Sequence, residues 1–293
     1  MIVDAHVHVF DKLSSEYPRQ VSELAPAERR ATAEMLLREM DAAGVDRAVL
    51  IDMGGTEIEQ HRYVTHCVRR WPDRFTATGL VDVQDPDAPE KLRDLVEATE
   101  IEGIRVGGYL GDPESGQAAA LTAFGIFQAA GELGLNINVY GAGTDIRCVE
   151  MLIRAFPEIT ISLDHLGLCP QTPMRVNEGG RPWFDEPMPP ARYGSTLELA
   201  KYPNVYVKVS GEYAFSGLPY PYEDTQPLVS QVYQAFGADR MMWATDYPWI
   251  APEPGYGRLA WMIDHHLPEI SKNKREMVMG GTAMRVWFRR VQS

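Results

Sequence analysis

Apolar side chains in this chain fall into short, nearly unbroken runs, separated by longer stretches in which they recur every three or four positions. The runs lie at Ile2–Phe10, Arg47–Asp52, Phe75–Val83, Ile101–Gly107, Asn136–Tyr140, Thr160–His165, Val205–Ser210 and Met241–Asp246. A run without polar alternation predicts a strand covered on both faces, as in a parallel sheet. The stretches with helical spacing are Ala27–Ala43, Glu57–Arg70, Pro89–Thr99, Ala118–Leu133, Asp145–Phe156, Gly194–Lys201, Gln226–Phe236 and Gly257–His266. The first has Pro26 near its start, Met35, Leu36 and Met40 on one face, and Gly44 as a stop.

Eight strands alternating with eight helices predict an α/β chain, a single-domain (β/α)8 TIM barrel over residues 1–293. A doubly wound sheet is the competitor, but no GxGxxG follows any strand and no GxxxxGK[ST] occurs, so its nucleotide-binding version has no support. The longest irregular stretches are Phe10–Pro26, Gly167–Arg192, Gly211–Thr225 and Tyr247–Tyr256. Each follows the C-terminal end of a strand, the face on which barrels build active sites.

Charge narrows the function. With 28 Lys+Arg against 41 Asp+Glu the formal net charge is −13, which disfavours nucleic acid and anionic membrane as partners and favours a small-molecule substrate. Cys67, Cys148 and Cys169 are widely spaced and form no CxxC, so a reducing, cytoplasmic setting is expected. An acid and two histidines within the first eight residues do not suit a signal peptide, and no run approaches 18 apolar residues. Assembly into a homo-oligomer is compatible with a barrel of this size, though no interface signature stands out.

The strand ends carry the candidate chemistry. His6 and His8 stand two apart on the first strand, so both imidazoles face one side about 7 Å apart along the backbone. The sixth strand ends in His165 and the eighth in Asp246. A lone histidine at a strand end is ordinarily structural. Three at one end of a barrel, with a carboxylate, form a set suited to one divalent zinc or manganese ion with an open position.

Four segments carry a family resemblance: Asp4-Ala-His6-Val-His8, Leu163-Asp-His165-Leu-Gly167, Thr245-Asp246-Tyr-Pro248-Trp, and Gly281-Thr-Ala-Met-Arg-Val-Trp287. In that order, over essentially the whole chain, the sequence resembles the amidohydrolase-related branch of the amidohydrolase superfamily. The resemblance implies a metal site of His6, His8, His165 and Asp246, with Asp246 as the base that activates water and His165 beside it in catalysis. Binuclear members bring a Lys or Glu from strand 4 and a His from strand 5. Here those strands end Gly103-Ile-Arg105-Val-Gly107 and Asn138-Val-Tyr140-Gly141, which argues against a bridged two-metal site. The pattern is closer to the 2-pyrone-4,6-dicarboxylate lactonase and sugar-lactonase group, whose members differ in whether they hold a metal.

The resemblance implies a hydrolase that opens a lactone bearing a carboxylate or several hydroxyls. Arg105 is the expected carboxylate binder, and the resemblance agrees, since dicarboxylate lactonases place an Arg in the matching Gly-Ile-Arg. Tyr140, Glu212 and Tyr213 are candidate pocket residues. Lys208, inside an apolar strand, is expected to pair with Asp4 or Asp246, and direct contact with substrate is its alternative role. Trp183 and Phe184 either cap the pocket or pack their loop, and Arg175, Arg181 and Arg192 either recruit an anion or form loop salt bridges. His61, His66, His265 and His266 are read as surface or helix-end residues without function. Cys169 reads as loop packing and the methionines near the C-terminus as core filler. The alternatives are a metal-dependent decarboxylase of a hydroxybenzoate-like acid, an amide hydrolase and a noncatalytic ligand-binding barrel.

Overall fold

The computed structural model describes residues 1–288. Eight parallel strands are hydrogen-bonded in chain order: β1 (Val3–Val7), β2 (Arg47–Ile51), β3 (Phe75–Leu80), β4 (Ile101–Gly107), β5 (Asn136–Tyr140), β6 (Ile161–Leu163), β7 (Val205–Val209) and β8 (Met241–Trp243). The sheet closes where the chain beyond β8 returns to β1: the amide of His8 donates to the carbonyl of Tyr247 at 2.7 Å, and that of Asp246 to the carbonyl of His6 at 2.9 Å. With helices between the strands, this is a single-domain (β/α)8 barrel. Among the described residues no helix is long and apolar enough to cross a membrane.

Asp4 strengthens the seam from inside. Its carboxylate accepts from the Thr245 amide at 3.0 Å, the Thr245 hydroxyl at 2.5 Å and the Tyr256 hydroxyl at 2.9 Å. A buried carboxylate is tolerated when donors surround it in this way.

The strands expected to run past the barrel rim are shorter than their apolar runs, because residues 8–10, 81–83 and 244–246 have already turned into the upper loops. Two helices also begin late. Ala27–Ala31 is drawn into a bridge with the chain beyond β1, Phe10 and Ala31 exchanging both backbone bonds, so the helix spans Ala33–Ala43 with Thr32 as its cap. Likewise the amide of Ala123 bonds back to Leu110, so Ala118–Ala120 forms a separate 3-10 turn and the helix runs Phe124–Glu132. The helix Gln226–Phe236 has the predicted limits.

The C-terminal segment, predicted only as filler, forms Lys272–Glu276, a π-helical turn Met277–Gly281 and Thr282–Trp287. Trp287 is fully buried and plugs the lower end of the barrel with Val3, Ala5, Val49, Ile51 and Met242. Gly103 of β4 makes room for it, since a Cβ there would lie 2.8 Å from the indole and 2.7 Å from the Asn136 carbonyl.

The loop after β1 is organised by one arginine. Arg19 is buried, and its guanidinium donates to the carbonyls of Asp11, Gln20, Ala25, Pro26, Ala27 and Arg29 at 2.6–3.2 Å. The loop after β6 contains a short antiparallel ribbon, Arg175–Val176 against Pro182–Trp183. Arg29 ties these two loops together by donating to the carbonyls of Leu24 at 2.8 Å and Gly180 at 2.7 Å.

Gly103→Ala is expected to destabilise the protein by about 1–3 kcal/mol through overpacking against Trp287 and the neighbouring strand. Denaturant unfolding checks this; an unchanged midpoint would show that the plug yields.

Candidate active site

The three atoms at the centre of the upper face are His6 Nε2, His8 Nε2 and Asp246 Oδ1. They form a triangle with edges of 3.2 Å (His6–His8), 3.5 Å (His6–Asp246) and 3.3 Å (His8–Asp246). The protons of both imidazoles are directed elsewhere. His8 Nδ1–H donates to the Ile51 carbonyl at 2.8 Å, and His6 Nδ1 lies 3.3 Å from Asp164 Oδ1. The His8 contact assigns that tautomer; at His6, Asp164 Oδ1 at 3.3 Å favours a proton on Nδ1 over the contact from Lys208 Nζ at 3.5 Å, and with that proton in place both Nε2 atoms are lone pairs. Burial, reinforced by Lys208, lowers His6 well below the ordinary histidine range, against the pull of Asp164. Burial works against ionisation of Asp246, but any positive charge on the facing His165, His8 and His6 rings holds its carboxyl below the usual carboxylate range.

The Asp246 Oδ2 atom accepts from the Tyr213 hydroxyl at 2.6 Å, while its buried Oδ1 has no hydrogen-bond donor. Two lone pairs and one bare carboxylate oxygen therefore face each other at close range, an arrangement that is unfavourable unless a cation lies among them. Tetrahedral zinc with bonds of about 2.0–2.1 Å would set such edges at about 3.3–3.4 Å, close to those observed. His6, His8 and Asp246 fit a divalent metal ion.

His165 stands beside this group. Its ring centroid is 4.8 Å from that of His6, its Nδ1 is 3.0 Å from Ser210 Oγ, and its Nε2 is 3.5 Å from an Arg105 nitrogen. The expected fourth ligand is thus turned toward Ser210 and Arg105, and among the described residues the converging set has three members. Gly211 permits this packing: its φ is +77°, and a Cβ would lie 2.7 Å from His165 Nδ1. His165 and Asp246 themselves have φ of +51° and +60°, a conformation that costs non-glycine residues energy and is found where a site fixes the backbone.

Beneath the triangle lies Asp164, a residue that no sequence pattern singled out. Arg105 Nε donates to it at 2.9 Å, Lys208 Nζ lies 3.1 Å away, and His6 Nδ1 3.3 Å. Burial favours its protonated form, but Lys208, His6 and Arg105 together hold it well below the usual range. Lys208 is fully buried and pairs with Asp164 rather than with Asp4 or Asp246; it does not line the cavity. The register explains this pair: Ser162 pairs with Tyr206 and Leu163 with Val207, so Asp164 and Lys208 are the next two along it. Arg105 is engaged by an acid as well, yet its outer nitrogens reach the cavity, with the guanidinium 4.3 Å above the Tyr140 ring.

Tyr140 and Tyr213 line the cavity, whereas Glu212 is buried outside it with one carboxyl oxygen unpaired. Phe184 lines the cavity, and Trp183 is part of the ribbon. The loop arginines make salt bridges: Arg175 with Asp185 at 3.6 Å, Arg181 with Glu253 at 2.6 Å, Arg192 with Asp145 at 3.2 Å. Arg181 also stacks over the Tyr213 ring at 4.6 Å, bracing the tyrosine that holds Asp246. His61, expected at the surface, is fully buried, with Nδ1 bonded to the Glu57 carbonyl and Nε2 accepting from the Leu80 amide.

Residues 3–289 match the family model described as Amidohydrolase. L-fucono-1,5-lactonase of Burkholderia ambifaria is 26% identical over 291 residues, covering 96% of this chain and 93% of that protein. Among solved structures, a putative 2-pyrone-4,6-dicarboxylic acid hydrolase from Pseudomonas putida superposes with a TM-score of 0.73 at 20% identity, covering 97% of this chain and 96% of that one. An amidohydrolase from Burkholderia multivorans with bound zinc gives a TM-score of 0.69 at 18% identity, covering 98% of each chain. The chain belongs to the amidohydrolase family and is an enzyme, a hydrolase.

Glu212 provides a test of the electrostatics around the site. Burial and the nearby Asp246 charge raise its carboxyl from the ordinary 4.5 to about 7. The folded state then holds this proton more tightly than the unfolded chain, so the associated stability is fully present below pH 4.5 and is lost as the pH rises through 7. Glu212→Gln is expected to gain about 3 kcal/mol over the parent at pH 8, with the gain shrinking toward zero near pH 4.5. Thermal unfolding at the two pH values measures it; a gain independent of pH would refute the buried-proton account.

Proposed function

We propose, on the premise of that family membership, that this enzyme hydrolyses a lactone, with His6, His8 and Asp246 holding one divalent ion, zinc or manganese. The observation that carries the reading is the convergence of two proton-free Nε2 atoms and one bare carboxylate oxygen at the floor of a cavity. The lactonase relative, alike over nearly its whole length, supports the choice of lactone over amide. When bound, the ion supplies Lewis acidity, polarising a carbonyl and making water more acidic near neutral pH.

The chain's own residues do the rest. Tyr213 ties down Oδ2, so Oδ1 of Asp246 is the oxygen with lone pairs directed at the floor. The Asp246 carboxylate takes a proton from water as the water oxygen bonds to the lactone carbonyl carbon. The ring carbon–oxygen bond then breaks, and the proton passes to the departing oxygen, giving a hydroxy acid. Arg105, fixed through Nε by Asp164, offers its outer N–H groups to a carbonyl or carboxylate oxygen and orients the ring. His165, kept neutral by burial against the pull of Asp246 and Asp164, flanks the reacting carbon's position. Charge and cysteine state support a small-molecule substrate and a reducing, cytoplasmic setting.

Asp246→Asn is expected to lower kcat by about a thousandfold while leaving circular dichroism unchanged. A pH-stat assay across lactones measures it, and turnover near the parent rate would overturn the mechanism. Plasma mass spectrometry on untagged protein should find about one zinc or manganese per chain, falling substantially in a His6→Ala/His8→Ala variant. Release of CO2 from hydroxybenzoates, with no acid release from any lactone, would favour a decarboxylase instead.

A further inference from the structure

The cavity above the triangle has a volume of about 180 Å³. A cavity of about 150 Å³ suffices for benzene, so this one accepts a single five- or six-membered ring with a short substituent or a small fused ring. Its walls are Leu24, Met53, Met174, Phe184, Phe215 and Trp249. None of these has a side-chain donor or acceptor suited to a hydroxyl, apart from the indole N–H of Trp249. Phe184 and Phe215 lie parallel, centroids 5.0 Å apart and planes within 4°, giving the cavity a flat aromatic side.

The polar groups of the cavity are concentrated at the floor, where most are already committed. The Tyr213 hydroxyl is bonded to Asp246, His8 Nδ1 to the Ile51 carbonyl, and His165 Nδ1 to Ser210. Arg105 is paired with Asp164 and stacked on Tyr140, whose hydroxyl has Met174 Sδ as its neighbour at 3.9 Å. A lactone with several ring hydroxyls would leave those turned toward the Phe184, Phe215 and Trp249 walls unpaired against carbon, at about 1–3 kcal/mol each. A dicarboxylate would find one guanidinium, shared with Asp164, for two charges.

We infer that the substrate is an uncharged lactone with a compact apolar body, aryl or alkyl, whose carbonyl lies on the His/Asp floor and whose hydrocarbon part fills the space between the Phe184–Phe215 pair and Trp249. This rests on the lactonase reading and sets aside both substrate types expected from sequence, the polyhydroxylated and the carboxylate-bearing. Selectivity follows from what the walls omit: they reward buried carbon and leave added hydroxyls without partners.

The test uses the full chain supplied with zinc or manganese. Acid release in a pH-stat, corrected for spontaneous opening, compares dihydrocoumarin and δ-hexanolactone with glucono-1,5-lactone and 2-pyrone-4,6-dicarboxylate. The expected kcat/KM for the apolar pair exceeds that of the other two by on the order of a hundredfold. A preference for the sugar lactone or the dicarboxylate overturns the substrate class and leaves the lactonase reading intact. Calorimetry with 2-tetralone, a carbocyclic analogue of dihydrocoumarin that cannot be hydrolysed, and with myo-inositol separates the remaining cases. Saturable tetralone binding with inositol silent upholds the apolar class even when no lactone is opened, in which event the lactonase reading fails alone. Absence of tetralone binding, or tighter inositol binding, overturns the inference. Met174→Gln, at the half-exposed rim, should weaken tetralone about tenfold with unchanged circular dichroism, and unaltered affinity would place the ligand elsewhere.

Discussion

Asp164 is a charge with no exposure to water, and everything above it depends on how that charge is compensated. Lys208 and Arg105 approach it from two other strands, and His6 from a third. Burying such a cluster costs several kcal/mol per ion unless the partners are all present, and losing one partner leaves an uncompensated charge. The same contacts perform chemical tasks. By attracting the Nδ1 proton of His6, Asp164 turns the Nε2 lone pair toward the floor. By binding Nε of Arg105, it holds the guanidinium at the cavity edge, one outer nitrogen facing His165 at 3.5 Å.

A second constraint is where the triangle sits. His6 and His8 belong to the first strand and its end, and Asp246 to the turn after the last, so the site straddles the seam that closes the barrel. Asp4, Thr245 and Tyr256 pin that seam from below. The geometry of the ligand set is therefore set by barrel closure, and a chain that left the seam open would have no site. Arg181 and Tyr213 extend the support upward, linking the loops after β6, β7 and β8 to the oxygen of Asp246 that faces away from the floor.

The barrel was legible from periodicity because parallel strands covered on both faces read as apolar runs, and the helix over 226–236 could be delimited from its residues alone. The triangle's members were legible because side-chain alternation places His6 and His8 on one side. What periodicity cannot supply is pairing across strands. Lys208 was recognised as a buried cation in need of a carboxylate, but choosing Asp164 over Asp4 or Asp246 requires the register of β6 on β7. The direction of His165 was hidden for a similar reason: it depends on a positive φ and on the bare Cα of Gly211. The cavity walls were least legible, because Leu24, Met53, Met174, Phe184, Phe215 and Trp249 come from five loops, Met174 and Phe184 sharing one, whose packing no local pattern encodes.

The loop after β1 contributes Leu24 to those walls, and Arg19 holds it by six backbone carbonyls. Ordering a backbone residue costs about 1–2 kcal/mol. Here that entropy is lost during folding, so a ligand arriving at the cavity meets a wall already fixed and need not order it. A wall of this kind does not remould itself around its guest. On that side the enzyme distinguishes molecules by shape, as a mould would.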